Sequence, residues 1–254
     1  MLRLHITGVG DAFTERYHNA SFCVEETGSG VRLQIDCPPA FPRALADYRQ
    51  KSAHGAELRI DTIDHLLLTH LHGDHCGGTE AYLYMHRFLL GRKPTLVGAP
   101  EVLDALWPTR LRGGMSTLLK SPTGPSVELD LLDYCQRQDL AAGVTHVGPL
   151  QIERRFTIHH IPTTALRISL PGRARPLVSY SADTAFDPEL IAWLGEADLI
   201  IHETNFGVHT PLASLMTLPD PLRARMRLIH YPDQLHPADS PIPCLYEGQT
   251  IDLP

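Results

Sequence analysis

From Thr69 to Gly78 the chain reads Thr-His-Leu-His-Gly-Asp-His-Cys-Gly-Gly, which sets His70, His72, Asp74 and His75 within six residues. A tight, glycine-flanked loop can aim His70 and His72 at one cation while Asp74 and His75 turn towards a second one close by. Imidazole nitrogen and carboxylate oxygen suit zinc, iron or manganese, and a donor set without thiolates argues against a purely structural zinc site. The bland alternative is a solvated polar loop. It fits poorly, because these residues follow directly on the apolar run Leu66-Leu67-Leu68.

Other apolar segments also close on ligand-type residues. Arg155–Ile158 runs into His159-His160, Leu177–Ser181 into Ala182-Asp183-Thr184, Leu199–Ile201 into His202-Glu203, and Arg227–Ile229 into His230. Strands that end at one edge of a sheet would gather these groups, since functional loops sit on rigid scaffolds.

The elements that must position them read as strands separated by helices. Strands are predicted over 2–7, 21–25, 31–36, 63–68, 94–97, 150–158, 166–170, 177–181, 199–202 and 226–229. Helices are predicted over 41–50 with Pro42 near the start, 79–90, 100–106, and 188–194 with Asp187 as N-cap. Residues 107–148 read as loops with short elements, and no linker-like stretch divides the chain, so one domain over 1–254 is expected.

Composition bounds the function. The 254 residues are 43% hydrophobic and 20% charged, ample for a buried core. A net charge of -7, from 29 acidic and 22 basic residues, argues against a dedicated binder of long nucleic acid. Five scattered cysteines without a C-x-x-C pair suit reduced thiols and offer no disulfide framework. No apolar run approaches the roughly 20 residues that cross a bilayer, and the opening residues lack a signal-peptide core. A cytoplasmic protein without membrane partners is expected.

With these residues in view, the sequence resembles the metallo-β-lactamase-fold hydrolases over nearly its whole length. Thr69-His-Leu-His-Gly-Asp-His is similar to that family's H-x-H-x-D-H motif. Within the superfamily it looks most like the ribonuclease Z and phosphodiesterase branch. His159-His-Ile-Pro-Thr-Thr-Ala-Leu-Arg167 is similar to the branch's third metal-histidine segment and Ser181-Ala-Asp183-Thr184 to its bridging-aspartate segment. His202-Glu203-Thr204 resembles its H-E-A-T element, His209-Thr210 its H-S-T element, and His230 its last metal histidine. The resemblance implies an α/β, four-layer αββα sandwich with a dinuclear site between two sheets. One metal would take His70, His72 and His159; the other would take Asp74, His75 and His230; Asp183 would bridge them. It implies two divalent ions (zinc first, manganese or iron as alternatives), a metal-bridging hydroxide as nucleophile and a homodimer. Asp74 would orient the nucleophile, and Glu203 would hold His209 as the acid for a leaving group.

The sequence departs from that branch in three ways, one of them Cys76 directly after His75. Only 23 residues separate His159 from Asp183, so the long tRNA-binding arm is missing there, and His209 follows Glu203 by only six residues. The missing arm and the negative charge argue against tRNA processing. Cys76 reads as a small buried residue and His202 as structural. His5, His18, His54, His65, His86, His146 and His236 have no ligand-like setting. Arg173, Arg175, Arg223, Arg225 and Arg227 read as solvated, and Tyr82, Tyr84, His86 and Phe88 as core. The His-x-Ile-Pro spacing favours His159 over its neighbour His160. Arg167 faces either substrate or a carboxylate, and Trp107 and Met115 are not placed.

The function expected is metal-dependent hydrolysis of a small, cyclic-nucleotide-like phosphodiester. The alternatives are a carboxylic ester or lactone hydrolase on the same site, a non-heme iron sulfur dioxygenase, a tRNA 3′ endonuclease, or a degenerate regulator. Diiron reductases usually place glutamate where this chain has His72. The donors of a second site (Asp74, His75 and His230) weigh against the single-iron dioxygenase.

Overall fold

The computed structural model describes residues 1–53 and 57–254; His54 lies outside the described residues. Strands β1 (Leu2–Gly8), β2 (Ser21–Glu26), β3 (Val31–Ile35), β4 (His65–Leu68) and β5 (Thr95–Gly98) come first. A small hairpin of β6 (Thr117–Leu119) and β7 (Ser126–Glu128) precedes β8 (Gln136–Asp139). The second half holds β9 (Thr145–Val147), β10 (Leu150–Phe156), β11 (Thr164–Ser169), β12 (Val178–Tyr180), β13 (Leu199–Glu203), β14 (Met226–Ile229) and β15 (Thr250–Leu253).

One sheet has the order β15-β1-β2-β3-β4-β5-β8 and the other β14-β13-β12-β11-β10-β9. In the first, β3, β4, β5 and β8 run parallel; in the second, β12, β13 and β14 do. Parallel neighbours send their carboxyl ends to the same edge, so residues just beyond several strands meet in one crevice. That is how ligand-type residues far apart in sequence are gathered.

Strand periodicity divides the core. Side chains alternate faces, so Leu67 and Val97 point between the sheets, with Leu4, Ile6, Phe22, Ile152, Leu166, Ile168 and Ile200. Their neighbours Leu66, Leu68 and Leu96 point outward against Phe41, Leu45, Tyr48, Tyr82, Leu83, Val102 and Leu106. Phe22 and Tyr180 meet edge-to-face across the seam, ring centres 5.1 Å apart. The helix Phe41–Lys51 buries Phe41, Ala44, Leu45 and Tyr48, the i, i+3, i+4, i+7 stripe of an amphipathic helix, with Pro42 in its first turn. On the outer face of the second sheet lies Pro188–Leu194, capped by the Asp187 side chain, which accepts from the Glu189 N–H. Helices on the outer faces of two stacked sheets make the four-layer metallo-β-lactamase-like sandwich.

Several elements differ from expectation. The helix expected over 79–90 is α-helical only through Tyr84 and continues as a π-turn, Met85–Leu89, which leaves Phe88 exposed rather than in the core. Within 107–148, Gln136–Asp139 joins the first sheet and Thr145–Val147 the second. The pairing of Thr250–Leu253 with β1 was not anticipated. Residues 170–177 join β11 to β12 directly. Among the described residues no helix is long and apolar enough to cross a membrane.

Candidate metal centre

Beyond β4 the chain turns through Thr69 into the one-turn helix Gly73–Cys76, with His72 at its N-cap. The turn is tied to the second sheet, because Thr164 donates both its N–H and its hydroxyl to the Thr69 carbonyl, each at 3.1 Å. It is also tied to the end of β3: Cys37 N–H donates to the His75 carbonyl at 2.7 Å and Gly78 N–H to the Cys37 carbonyl at 2.8 Å. A side chain at Gly78 would stand 2.2 Å from the Pro38 carbonyl oxygen, so only glycine allows this approach.

On this frame two donor sets converge. His72 Nδ1 lies 3.2 Å from His70 Nε2 and 3.0 Å from His159 Nε2. Asp74 Oδ2 lies 3.3 Å from His75 Nε2 and 3.2 Å from His230 Nε2. Asp183 stands between the sets: Oδ1 is 3.3 Å from His75 Nε2, and Oδ2 is 3.6 Å from His70 Nε2 and 3.7 Å from both His159 and His230 Nε2. Groups of donors that could hold a cation are therefore His70, His72, His159 and Asp183 on one side and Asp74, His75 and His230 on the other, with Asp183, His209 and His230 a third, overlapping set.

The donors fit metal ions. Ligands at 2.0–2.1 Å on a tetrahedral cation stand roughly 3.3 Å from one another, close to the separations here. His75 Nε2 and Asp183 Oδ1 are buried without a hydrogen-bond partner, a costly arrangement unless something else satisfies them. Clustered nitrogen and oxygen donors of this kind form a potential dinuclear site.

Electrostatics separate the two sets. Burial drives His70 well below the ordinary histidine value, lowers His72, and takes His159 down to about 4, so these rings are neutral and ready to donate lone pairs. Burial acts the same way on His75 and His230, but carboxylates outweigh it. Asp183, Asp74 and Asp36 hold His75 well above its ordinary value, and Asp183, Asp74 and Glu203 hold His230 at about 10. In return these rings hold the buried Asp74 and Asp183 carboxyls well below the usual range. The carboxylates demand positive charge beside them, as protons on His75 and His230 or as cations that displace those protons.

Two buried carboxylates support the donors from behind. Asp36 Oδ2 faces His75 Nδ1 at 2.8 Å, while its Oδ1 accepts from the Thr69 N–H at 2.8 Å. Glu203 has both oxygens 3.0 Å from His209 Nδ1 and Oε2 3.6 Å from His230 Nδ1; its Oε1 also accepts from the Thr184 N–H at 2.5 Å. Asp36, Ala182 and His230 all take left-handed backbone conformations, φ 59°, 49° and 54°. Strained residues of this kind cluster at functional sites.

A sequence profile of the family described as "Anti-Pycsar protein Apyc1" matches residues 2–242. The chain belongs to the Apyc1 anti-Pycsar family. Apyc1 proteins from Bacillus phage 010DV004 and from Saccharibacillus brassicae are 31% and 30% identical to it over 245 and 239 residues. These matches span 92% and 91% of this chain and 90% of each relative. Among solved structures, the metallo-β-lactamase-fold protein YhfI from Bacillus subtilis superposes with a TM-score of 0.73 at 16% identity, covering 98% of both chains. A diphosphatase from the PhnP family gives 0.73 at 14% identity, over 100% of this chain and 98% of that one. These superpositions give this Apyc1 family member the metallo-β-lactamase fold, and its donor clusters could hold metal ions.

The residues expected on sequence to form the site lie in or against this cluster of donors: His70, His72, Asp74, His75, His159, Asp183, Glu203, His209 and His230. His160 is exposed, its ring 6.2 Å from His72. Cys76 is buried, and so is His202, whose Nδ1 faces the Glu203 carbonyl at 2.7 Å. Arg167 points away from the centre; it stacks over Trp193 at 4.1 Å and pairs with Glu196 and with Glu153 at 3.4 Å. Met115 is core, and Trp107 packs near Tyr134. Asp36 was missed. The available signal was its place at the end of a strand, directly before Cys37-Pro38-Pro39.

Proposed function

We propose that this chain is a phosphodiesterase of the ribonuclease Z-like branch, lacking the tRNA-binding arm, that hydrolyses a small, cyclic-nucleotide-like phosphodiester in the cytoplasm. A single domain over 1–254 carries the activity, and the active form is a homodimer. The observation that carries the reading is His209. Its Nδ1 is taken by Glu203, its other ring nitrogen has no protein partner among the described residues, and the ring lines the same cavity as Asp74, Asp183 and His230. A histidine so held can protonate a poor leaving group, which a phosphodiester requires. The cavity, about 650 Å³, is of the size that takes small molecules.

In this reading His70, His72 and His159 hold one divalent ion, Asp74, His75 and His230 hold the other, and Asp183 serves both. Zinc suits the donors first, and manganese or iron are accepted by the same set. Bound there, the ions supply a nucleophile at neutral pH and charge stabilisation at phosphorus. Asp74 orients the attacking oxygen and receives its proton. His209 passes a proton to the departing oxygen, and Glu203 keeps the tautomer that lets it do so. The relatives are named Anti-Pycsar proteins, and we extend that role to this chain.

The test is hydrolysis of bis(p-nitrophenyl) phosphate and 3′,5′-cyclic nucleotides by protein loaded separately with zinc, manganese and iron, beside Asp74→Ala. Turnover that disappears in the variant supports the assignment. Two bound metals per chain with no phosphodiester turnover would reject it in favour of carboxylic esters or lactones.

A further inference from the structure

Two large aromatic side chains at the mouth of the centre have no structural task. Phe13 is 89% exposed and Phe206 65% exposed, and both line the cavity that holds Asp74, Asp183 and His209. Neither makes a ring contact with another aromatic among the described residues. Single exposed apolar residues are ordinary on a surface. Here two come from loops 193 positions apart and border one cavity, which also holds the donor carboxylates.

The loops that carry them are joined by a continuous hydrogen-bond chain. Phe13 N–H donates to Asp11 Oδ1 at 3.0 Å, Asn205 Nδ2 donates to Asp11 Oδ2 at 3.0 Å, and Phe206 N–H donates to Asn205 Oδ1 at 2.8 Å. Asp11 is buried at 5% exposure. Beyond Phe13 the loop is fixed again, because Thr14 Oγ1 and the Glu15 N–H donate to the two Asp233 oxygens at 2.6 and 2.9 Å. Held backbone beneath open rings is a preorganised surface for a flat, apolar group, with little ordering left to do on binding.

We infer that Phe13 and Phe206 take up the nucleobase of the substrate by stacking, and that the Asp11–Asn205 bridge positions them for it. The inference rests on the phosphodiesterase reading and names the group that lies beside the scissile ester. Every base has a π-face, so such a surface grips nucleotides without selecting strongly among them.

Metal-loaded protein can be assayed with a 3′,5′-cyclic nucleotide and with ribose 3′,5′-cyclic phosphate, which lacks the base. Phe13→Ala and Phe206→Ala should each raise KM for the nucleotide roughly tenfold, with kcat changed far less and a several-fold smaller penalty on the baseless ester. Asn205→Ala, which removes a positioning residue, should show the same KM-selective loss. Equal losses on both esters, or none on the nucleotide, would overturn the inference. A readout independent of turnover is Phe206→Trp: a nucleoside 5′-monophosphate should quench its added emission, and absence of quenching would also reject stacking. Were neither ester hydrolysed by the unaltered chain, the phosphodiesterase reading would fail by itself, and the quenching result would still decide the stacking.

Discussion

His209 Nδ1 stands 3.0 Å from each carboxylate oxygen of Glu203, although His209 follows Glu203 by only six positions. The short spacing works because Glu203 closes β13 and the loop after it folds straight back: Asn205 N–H donates to the Thr210 carbonyl at 3.1 Å and Thr204 Oγ1 to the same oxygen at 3.0 Å. Despite burial, the Glu203 hydrogen bond raises the pKa of His209.

Leaving-group dependence tests the pair. His209→Ala should lower kcat about 10²–10⁴-fold on an alkyl or cyclic phosphodiester, the usual range for a lost general acid. The same variant should lose far less on bis(p-nitrophenyl) phosphate, whose phenolate departs without help. Equal losses on both would remove the acid role.

Asp36→Asn separates charge from shape. The residue has φ 59°, which asparagine tolerates well, and it keeps one oxygen for Thr69 while losing the carboxylate that faces His75 at 2.8 Å. Groups that orient a metal-binding histidine typically contribute 10–100-fold in affinity. Competitive chelator titration should show a loss in that range, with circular dichroism unchanged.

Gly78→Ala should destabilise the fold by about 1–3 kcal/mol, as overpacking does, because its Cβ would stand 2.2 Å from the Pro38 carbonyl oxygen. Chemical denaturation gives the value. Gly73, five positions earlier, has open space around it, so Gly73→Ala is the control, expected to lose much less.

Acid should weaken a second buried pair, remote from the donors. His5 Nε2 lies 2.7 Å from Glu25 Oε2, and His5 Nδ1 lies 2.8 Å from the Tyr48 hydroxyl. The His5 hydrogen bond, with Arg32, lowers the Glu25 pKa to about 2. A carboxyl lowered on folding contributes stability that is complete above its unfolded value, roughly 4.3, and lost as pH falls towards 2. Thermal melts from pH 5 to pH 2.5 should show a steeper fall for the unaltered chain than for Glu25→Gln; parallel slopes would contradict the linkage.

What could be read from the sequence was whatever is local. The loop from His70 to His75 states its chemistry in six residues, and His159, Asp183 and His230 each follow an apolar run that betrays a strand. Asp36 carries no such mark; its role arises from a distance of 2.8 Å across 39 positions. The Asp11–Asn205 bridge spans 194 positions and is equally silent. Three-residue strands such as Thr117–Leu119, Ser126–Glu128 and Thr145–Val147 are too short for a period of two to show. Sequence leaves Arg167 open between substrate and carboxylate, because period alone does not say which face of β11 meets the centre.

The donors are shared between two sheets. His70, His72, Asp74 and His75 follow β4 of the first, whereas Asp183 and His230 follow β12 and β14 of the second. A cation held by both binds the docked sandwich and not its separated halves, so mass action adds about 1.4 kcal/mol to docking for each tenfold excess over its dissociation constant. A cation bound at these donors would thereby act as a clasp, and its concentration would set how firmly the two sheets are closed.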